Sequence, residues 1–305
     1  MPKGDRRRRL TIALALWLGT APAPALASEL VLGPEGGHVV EGRVNHHPVR
    51  LRVDPETPGH VILNGDAAFR LRLFPTTRAA AAIIGPVRVE GASRPTPVTV
   101  GGISGIRRVV WTDRTVVDGA DGVISPADLP YDRVTLRFRA PAADEQEFEF
   151  PMRFGRDLGL FHSLRLRSGM VHVRVSTSRS ASLATAAAGA LLVQEFGGGW
   201  DGEARSMTIK YGVDRPVRPI RLDLPALLAG QPITDLLVRT RDHRGMLSLP
   251  ADAPADPDEV VVTAQIQRQP ARFLVSLGLD WLSSCSSLTW DNNERRMTLR
   301  CAAPA

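Results

Sequence analysis

A mostly β fold is predicted for this 305-residue chain by three features of its composition and patterning. Twenty-four Pro and 27 Gly punctuate the sequence too often for long helices. Val, Thr and Arg recur in short runs whose apolar residues alternate, which is the period of a half-buried strand. The balance of 43% hydrophobic and 23% charged residues is that of a globular chain long enough for one large domain or two moderate ones, so disorder, collagen and a disulfide-dense scaffold are excluded. Four of the six net positive charges fall within the first 27 residues, where Lys3, Arg6, Arg7, Arg8 and Arg9 stand against Asp5. No concentrated basic stripe is left to meet phosphates, and no nucleic-acid partner is expected.

Residues 1–27 have the form of a cleavable export signal: a charged start, an apolar run over 10–18, then the small-x-small site Ala25-Leu26-Ala27. The mature chain is expected to begin at Ser28. A membrane anchor needs about 20 apolar residues, and Pro22 and Pro24 interrupt this run. The arginine cluster fits the general and the twin-arginine export routes alike. No later segment is apolar enough to span a bilayer, so a soluble periplasmic or secreted protein is expected, with no membrane span after signal cleavage.

Strands over 39–44 and 48–53 flank Asn45-His46-His47, and in the second of them Val49, Leu51 and Val53 alternate with Arg50 and Arg52. This predicts a half-buried hairpin with the two histidines at its solvated tip, because adjacent residues on an extended turn point apart and make poor joint metal ligands. The run ends at Asp54, followed by the turn-rich Pro55-Glu56-Thr57-Pro58-Gly59, an apolar patch at 60–63 and a short helix over 65–73. Further strands are expected at 85–90, 97–100, 106–112 and 133–139. Before the last lies Asp121-Gly122-Val123-Ile124, a turn carrying two aliphatics suited to burial.

The second half repeats this order. Val171, Val173 and Val175 alternate with His172 and Arg174 and reach Ser176 where the first half reaches Asp54; a small-residue helix follows at 181–193, and Leu277 to Leu282 stands where the first half has Asp121 to Ile124. An internal duplication follows: after the signal, one lobe over 28–150 and another over 151–305. The stretch 250–258 is a surface loop of the second lobe. Cys285 and Cys301 are the only cysteines. They flank two expected strands, 286–290 and 296–300, joined by Asp291-Asn292-Asn293-Glu294, so a structural disulfide across this hairpin is predicted for an oxidising compartment. No His or second Cys pair stands at ligand spacing around them, and no metal is expected.

Taken together, Val49 to Asp54, Val61-Ile62-Leu63 and Asp121 to Ile124 in the first half, with Val171 to Ser176 and Leu277 to Leu282 in the second, resemble the retropepsin and pepsin superfamily of aspartic peptidases. The resemblance implies a two-lobed, acid-protease-like β-barrel architecture, with a catalytic turn in each lobe and a hydrophobic-Gly segment crossing behind it. It also implies water activation between two carboxylates that share one proton. Here Asp54 matches the first carboxylate, but Ser176 stands at the position of the second. Pro55 and Glu56 replace the Thr and Gly of the turn, which fixes φ, removes a donor and adds a side chain. Asp54 before Pro also reads as the start of a plain surface turn. Glu56 in place of the missing carboxylate, or two chains pairing through their first lobes, are alternatives. Asp121 and Asp280 read as turn or cap residues.

Other chemistries find less support. Ser104 lacks the glycine spacing of a nucleophile elbow because Ile106 occupies it, and it reads as a hairpin tip. The stretch 196–202, rich in Gly, has no following Lys-Ser/Thr for phosphate and reads as a flexible turn. No cofactor is expected. The function expected is binding of an extended peptide or protein segment without efficient cleavage. A divergent aspartic endopeptidase using Asp54, with Glu56, is the alternative, and a structural envelope component a third; the oligomeric state is open.

Overall fold

A computed structural model describes residues 28–74, 79–240, 242, 248–249 and 272–303 of the chain. The signal segment 1–27 and the loop at 250–258 lie outside the described residues. In the first half, β1 (Glu29–Leu32) is followed by β2 (Val39–Val44), β3 (His47–Val53), β4 (Val61–Leu63), α1 (Gly65–Arg70), β5 (Ala79–Ile84), β6 (Val87–Val100), β7 (Ile103–Thr112), β8 (Gly122–Ile124), β9 (Arg133–Arg137) and β10 (Glu145–Pro151). The second half continues with β11 (Arg153–Gly155), β12 (Gly159–Arg165), β13 (Met170–Val175), β14 (Leu183–Ala184), α2 (Ala186–Phe196), β15 (Gly199–Trp200), β16 (Arg205–Lys210), β17 (Val213–Leu228), β18 (Gln231–Arg239), β19 (Leu274–Leu277), β20 (Cys285–Asp291) and β21 (Arg296–Ala302). The chain is mostly β, as its composition predicts.

The expected duplication is visible in the strand order. One sheet runs β2-β3-β8-β4-β7-β6-β5; another contains β12-β13-β19-β14-β18-β17, with β16 paired to β17. Position by position these are the same sheet, down to direction: β3 lies parallel to β8 and β13 parallel to β19, while β4 and β14 run antiparallel to those returning strands. The alternation read from sequence selects the buried face. Val49, Leu51 and Val53, and likewise Val171, Val173 and Val175, are each at most 2% exposed. Each such side chain contributes about 1.5–3 kcal/mol by leaving water. Gly122 is required where β8 passes β4, because a Cβ there would stand 2.3 Å from the Ile62 carbonyl oxygen.

A third sheet, β1-β9-β20-β21-β10, draws strands from both halves. It spans the lobes. Asp121, in the bend before β8, accepts the Arg50 N–H at 2.7 Å and pairs with Arg70, while Asp280 accepts from the N–H and hydroxyl of Ser182 and caps Trp281.

Several boundaries differ from expectation, for local reasons. The helix expected at 181–193 starts at Ala186, where the Thr185 hydroxyl accepts from Ala188 N–H at 3.2 Å. Leu183 and Ala184 instead bond β18 and β19, which satisfies their buried backbone groups inside the sheet. The strand expected at 85–90 begins at Val87. Gly85, with φ 58°, and Pro86 make the turn, and the alanine-rich β5 that precedes it has no alternation to reveal it. Ser104 lies within β7, since Gly101 and Gly102, both at positive φ, form the tip. In the stretch 196–202, Gly199 and Trp200 pair with β17. The tip of the first hairpin is Asn45-His46, with His47 opening β3.

Cys285 and Cys301 face one another across β20 and β21 and form a disulfide, their Cα atoms 3.7 Å apart. Peptide mapping without reductant should recover the two cysteines in one cross-linked species. Replacing both by Ser should lower unfolding stability by about 3 kcal/mol, the loop-closure entropy returned to the unfolded chain, as read by denaturant titration.

Candidate functional site

The two turns that follow β3 and β13 meet between the lobes. The same backbone bond sets each: Asp54 N–H donates to Ile124 O at 3.0 Å, and Ser176 N–H donates to Leu277 O at 2.8 Å. The residues that each returning strand presents behind its turn are thus Ile124 and Leu277, followed by Ser125 in the first lobe and Gly278 in the second. Asp54 and Ser176 occupy equivalent positions. The Ser176 hydroxyl donates to Asp54 Oδ2 at 3.1 Å.

Asp54 is 5% exposed, so the expectation of a surface turn is corrected: it opens a turn, through Thr57 N–H to its carbonyl at 3.0 Å, but inside the protein. Its Oδ1 accepts the backbone N–H of Glu56 at 3.0 Å and of Thr177 at 3.3 Å. The Thr177 hydroxyl reaches back to Val53 O at 3.0 Å. The carboxylate therefore takes donors from its own turn and from the other lobe, as a buried anion requires. Pro55, which has no N–H to give, offers its carbonyl to Leu160 N–H at 3.0 Å and ties the same turn to β12.

Glu56 is 3% exposed and engaged by arginines of the second lobe. Arg174 Nη2 stands 2.7 Å from Oε1, and Arg179 Nη2 is 3.5 Å from the same oxygen. Arg174, on the face of β13 away from the core, also donates to Ser276 Oγ at 2.8 Å and Leu158 O at 3.3 Å. Burial, the largest single influence on Glu56, pushes its carboxyl up; the charges of Arg174, Arg179 and Lys210, with Ser176 adding to them, outweigh it and hold the group at about 2. Glu56 is thus an anion across the ordinary pH range.

Above these turns lies a cleft of about 420 Å3. Hairpin β5–β6, turning at Gly85-Pro86, and hairpin β16–β17, turning at Tyr211-Gly212, roof it from opposite lobes. Ile84 and Val89 of one pack with Tyr211 and Val213 of the other. All six residues of β5 line the cleft, and β5 pairs with β6 alone among the described strands, so no described strand covers its outer edge. His60 lines it too. Burial and then the charges of Arg108 and Lys210 push that imidazole down to about 4, so it is neutral at physiological pH.

Ser176 stands against Asp54, and Glu56, two residues along the Asp54 turn, is directed to Arg174 and Arg179. Arg174, Arg179 and His60 were not singled out in the sequence. The alternation marks Arg174 as facing away from the core of its strand, but what stands opposite is contributed by the other half of the chain.

The sequence matches no family model and no curated protein. Among solved structures, an aspartic proteinase from Irpex lacteus is similar at 12% identity, with 87% of this chain and 94% of that chain covered and a TM-score of 0.40.

The carboxyl of Glu56 is held below its unfolded value near 4.5, so its contribution to stability is present above that pH and is lost as pH falls toward 2. Glu56→Gln should cost about 3 kcal/mol at neutral pH and flatten the acid limb of the stability profile, as followed by denaturant unfolding at a series of pH values. Ser176→Asp places a second carboxylate against Asp54, where both cannot ionise. The folded-state titration of that pair should rise above its unfolded value, so the variant should be weakened by about 2 kcal/mol at neutral pH and regain stability on acidification.

Proposed function

We propose that this chain is an exported, aspartic-peptidase-like protein that holds an extended peptide or protein segment in the cleft between its lobes without efficient cleavage. One observation carries the reading: where two carboxylates would have to share a proton, Asp54 meets a serine hydroxyl. Serine titrates far too high to take the second carboxylate's part, and Glu56 is held as an anion by two arginines and has no proton to share. Asp54 does not line the cleft, and its oxygens are occupied by three donors.

Recognition is supported by features that do not depend on the missing acid. The outer edge of β5, which no described strand covers, offers main-chain donors and acceptors along the cleft, and an extended backbone pairs with such an edge as an added strand. Export accords with the disulfide, a bond formed in oxidising compartments. No helix among the described residues is long and apolar enough to cross a membrane.

The purified mature chain, incubated with unfolded polypeptides between about pH 3 and 7, should show little or no acid-dependent cleavage, since general acid-base assistance supplies about 10²–10⁴ in rate. Asp54→Asn should leave peptide retention largely intact. Robust proteolysis abolished by Asp54→Asn in a folded variant would overturn the reading and establish a divergent endopeptidase.

A further inference from the structure

The cleft is strongly electropositive. Six cationic side chains line it, Arg108 from β7, Arg174 from β13, Arg179 from the turn that follows, Lys210 at the end of β16, Arg239 from β18 and Arg272 just before β19, against the carboxylates of Glu56 and Asp157. They come from both lobes and from the roof. Part of this charge is neutralised inside the protein: Arg239 is bound by Asp242, Nε to Oδ1 at 2.9 Å, and Arg174 by Glu56. Arg108, Lys210 and Arg272 have no ion-pair partner among the described residues.

Arg179 is buried and only partly satisfied. It is 9% exposed, shares one oxygen of Glu56 with Arg174 at the longer distance of 3.5 Å, and its Nε is buried with no hydrogen-bond partner. A buried guanidinium N–H without an acceptor costs stability, and a guanidinium fork matches the two oxygens of a carboxylate. Arg179 is one of the residues lining a cleft whose charge concentrates anions. His60 is kept neutral there, first by burial and then by the charges of Arg108 and Lys210.

We propose that the occupant of the cleft is an acidic segment: an extended peptide bearing Asp or Glu, one carboxylate of which docks on Arg179, while Arg108 and Lys210 meet acidic side chains under the roof. The proposal rests on the peptide-binding reading above and supplies the class of peptide. Arg108 stands on the lobe of β5 and the other five cations on the second lobe, so a segment lying along β5 would have cations on both sides of it. Among the described residues that line the cleft, Tyr211 is the one Phe, Tyr or Trp, which offers little stacking surface to a nucleic acid.

Binding of fluorescein-labelled peptides of alternating Glu and Ala, Gln and Ala, or Lys and Ala to the mature protein, followed by anisotropy at low and high salt, tests this. The Glu peptide should bind at least about tenfold tighter than the Gln peptide, lose that advantage in high salt, and exceed the Lys peptide further. Arg179→Gln should weaken the Glu peptide selectively. Because Arg179 is buried, the more exposed double variant Arg108→Gln/Lys210→Gln is the companion; it should bring the Glu peptide about tenfold closer to the Gln peptide without altering thermal unfolding. Equal binding of Glu and Gln peptides would overturn acidic selection and leave the peptide reading standing. Binding of none of the three would overturn both. Millimolar phosphate or citrate that binds alone, displaces the Glu peptide and shows the same variant dependence would assign the cleft to a free small anion and overturn the acidic peptide.

Discussion

Burying a carboxylate is tolerable only when donors surround it, and Asp54 obtains its donors from both lobes at once. Glu56 N–H comes from its own turn; Thr177 N–H and the Ser176 hydroxyl come from the turn of the other half. The Thr177 hydroxyl completes the crossing by donating to Val53 O. These bonds fix how the two turns face each other, and therefore the floor of the cleft. Above that floor stand β5, the two roofing hairpins and the basic side chains between them.

A second buried carboxylate works differently. Glu56 draws on two guanidiniums rather than on backbone donors, and both belong to the second lobe. Taking three charged groups out of water is costly, and the Coulombic attraction at 2.7 Å offsets that cost only while all of them are present. Glu56 is shared between the two guanidiniums, and the Arg179 Nε is left unsatisfied. The electrostatic character of the cleft thus begins in the same ion group that joins the lobes, and the outer cations extend it.

The rest of the molecule keeps that registration in place. The sheet β1-β9-β20-β21-β10 ties strands of both halves into one hydrogen-bonded unit, and the disulfide holds β20 to β21 within it. On the opposite side the tips of the two hairpins close over the cleft through an apolar contact of Ile84, Val89, Tyr211 and Val213. A segment bound along β5 as proposed would lie beneath that contact.

Local pattern was enough to determine the mostly β class, the alternating core faces of β3 and β13, the equivalence of Asp54 and Ser176, and the pairing of Cys285 with Cys301. Each of these depends on a short period or on a turn flanked by its own strands, so the information lies within a few residues. Strand β5 was invisible because Ala79 to Ala82 carry neither alternation nor β-branched side chains, and Leu183-Ala184 looked helical because only a neighbouring sheet draws them out of the helix. Burial of Asp54, the capture of Glu56 by Arg174 and Arg179, and the gathering of six cations in one cleft were decided by tertiary structure alone. In each case the partners are more than a hundred residues apart or stand on different strands, and a charge distribution that is nearly balanced along the chain becomes one-sided only when folding brings its arginines to a common surface.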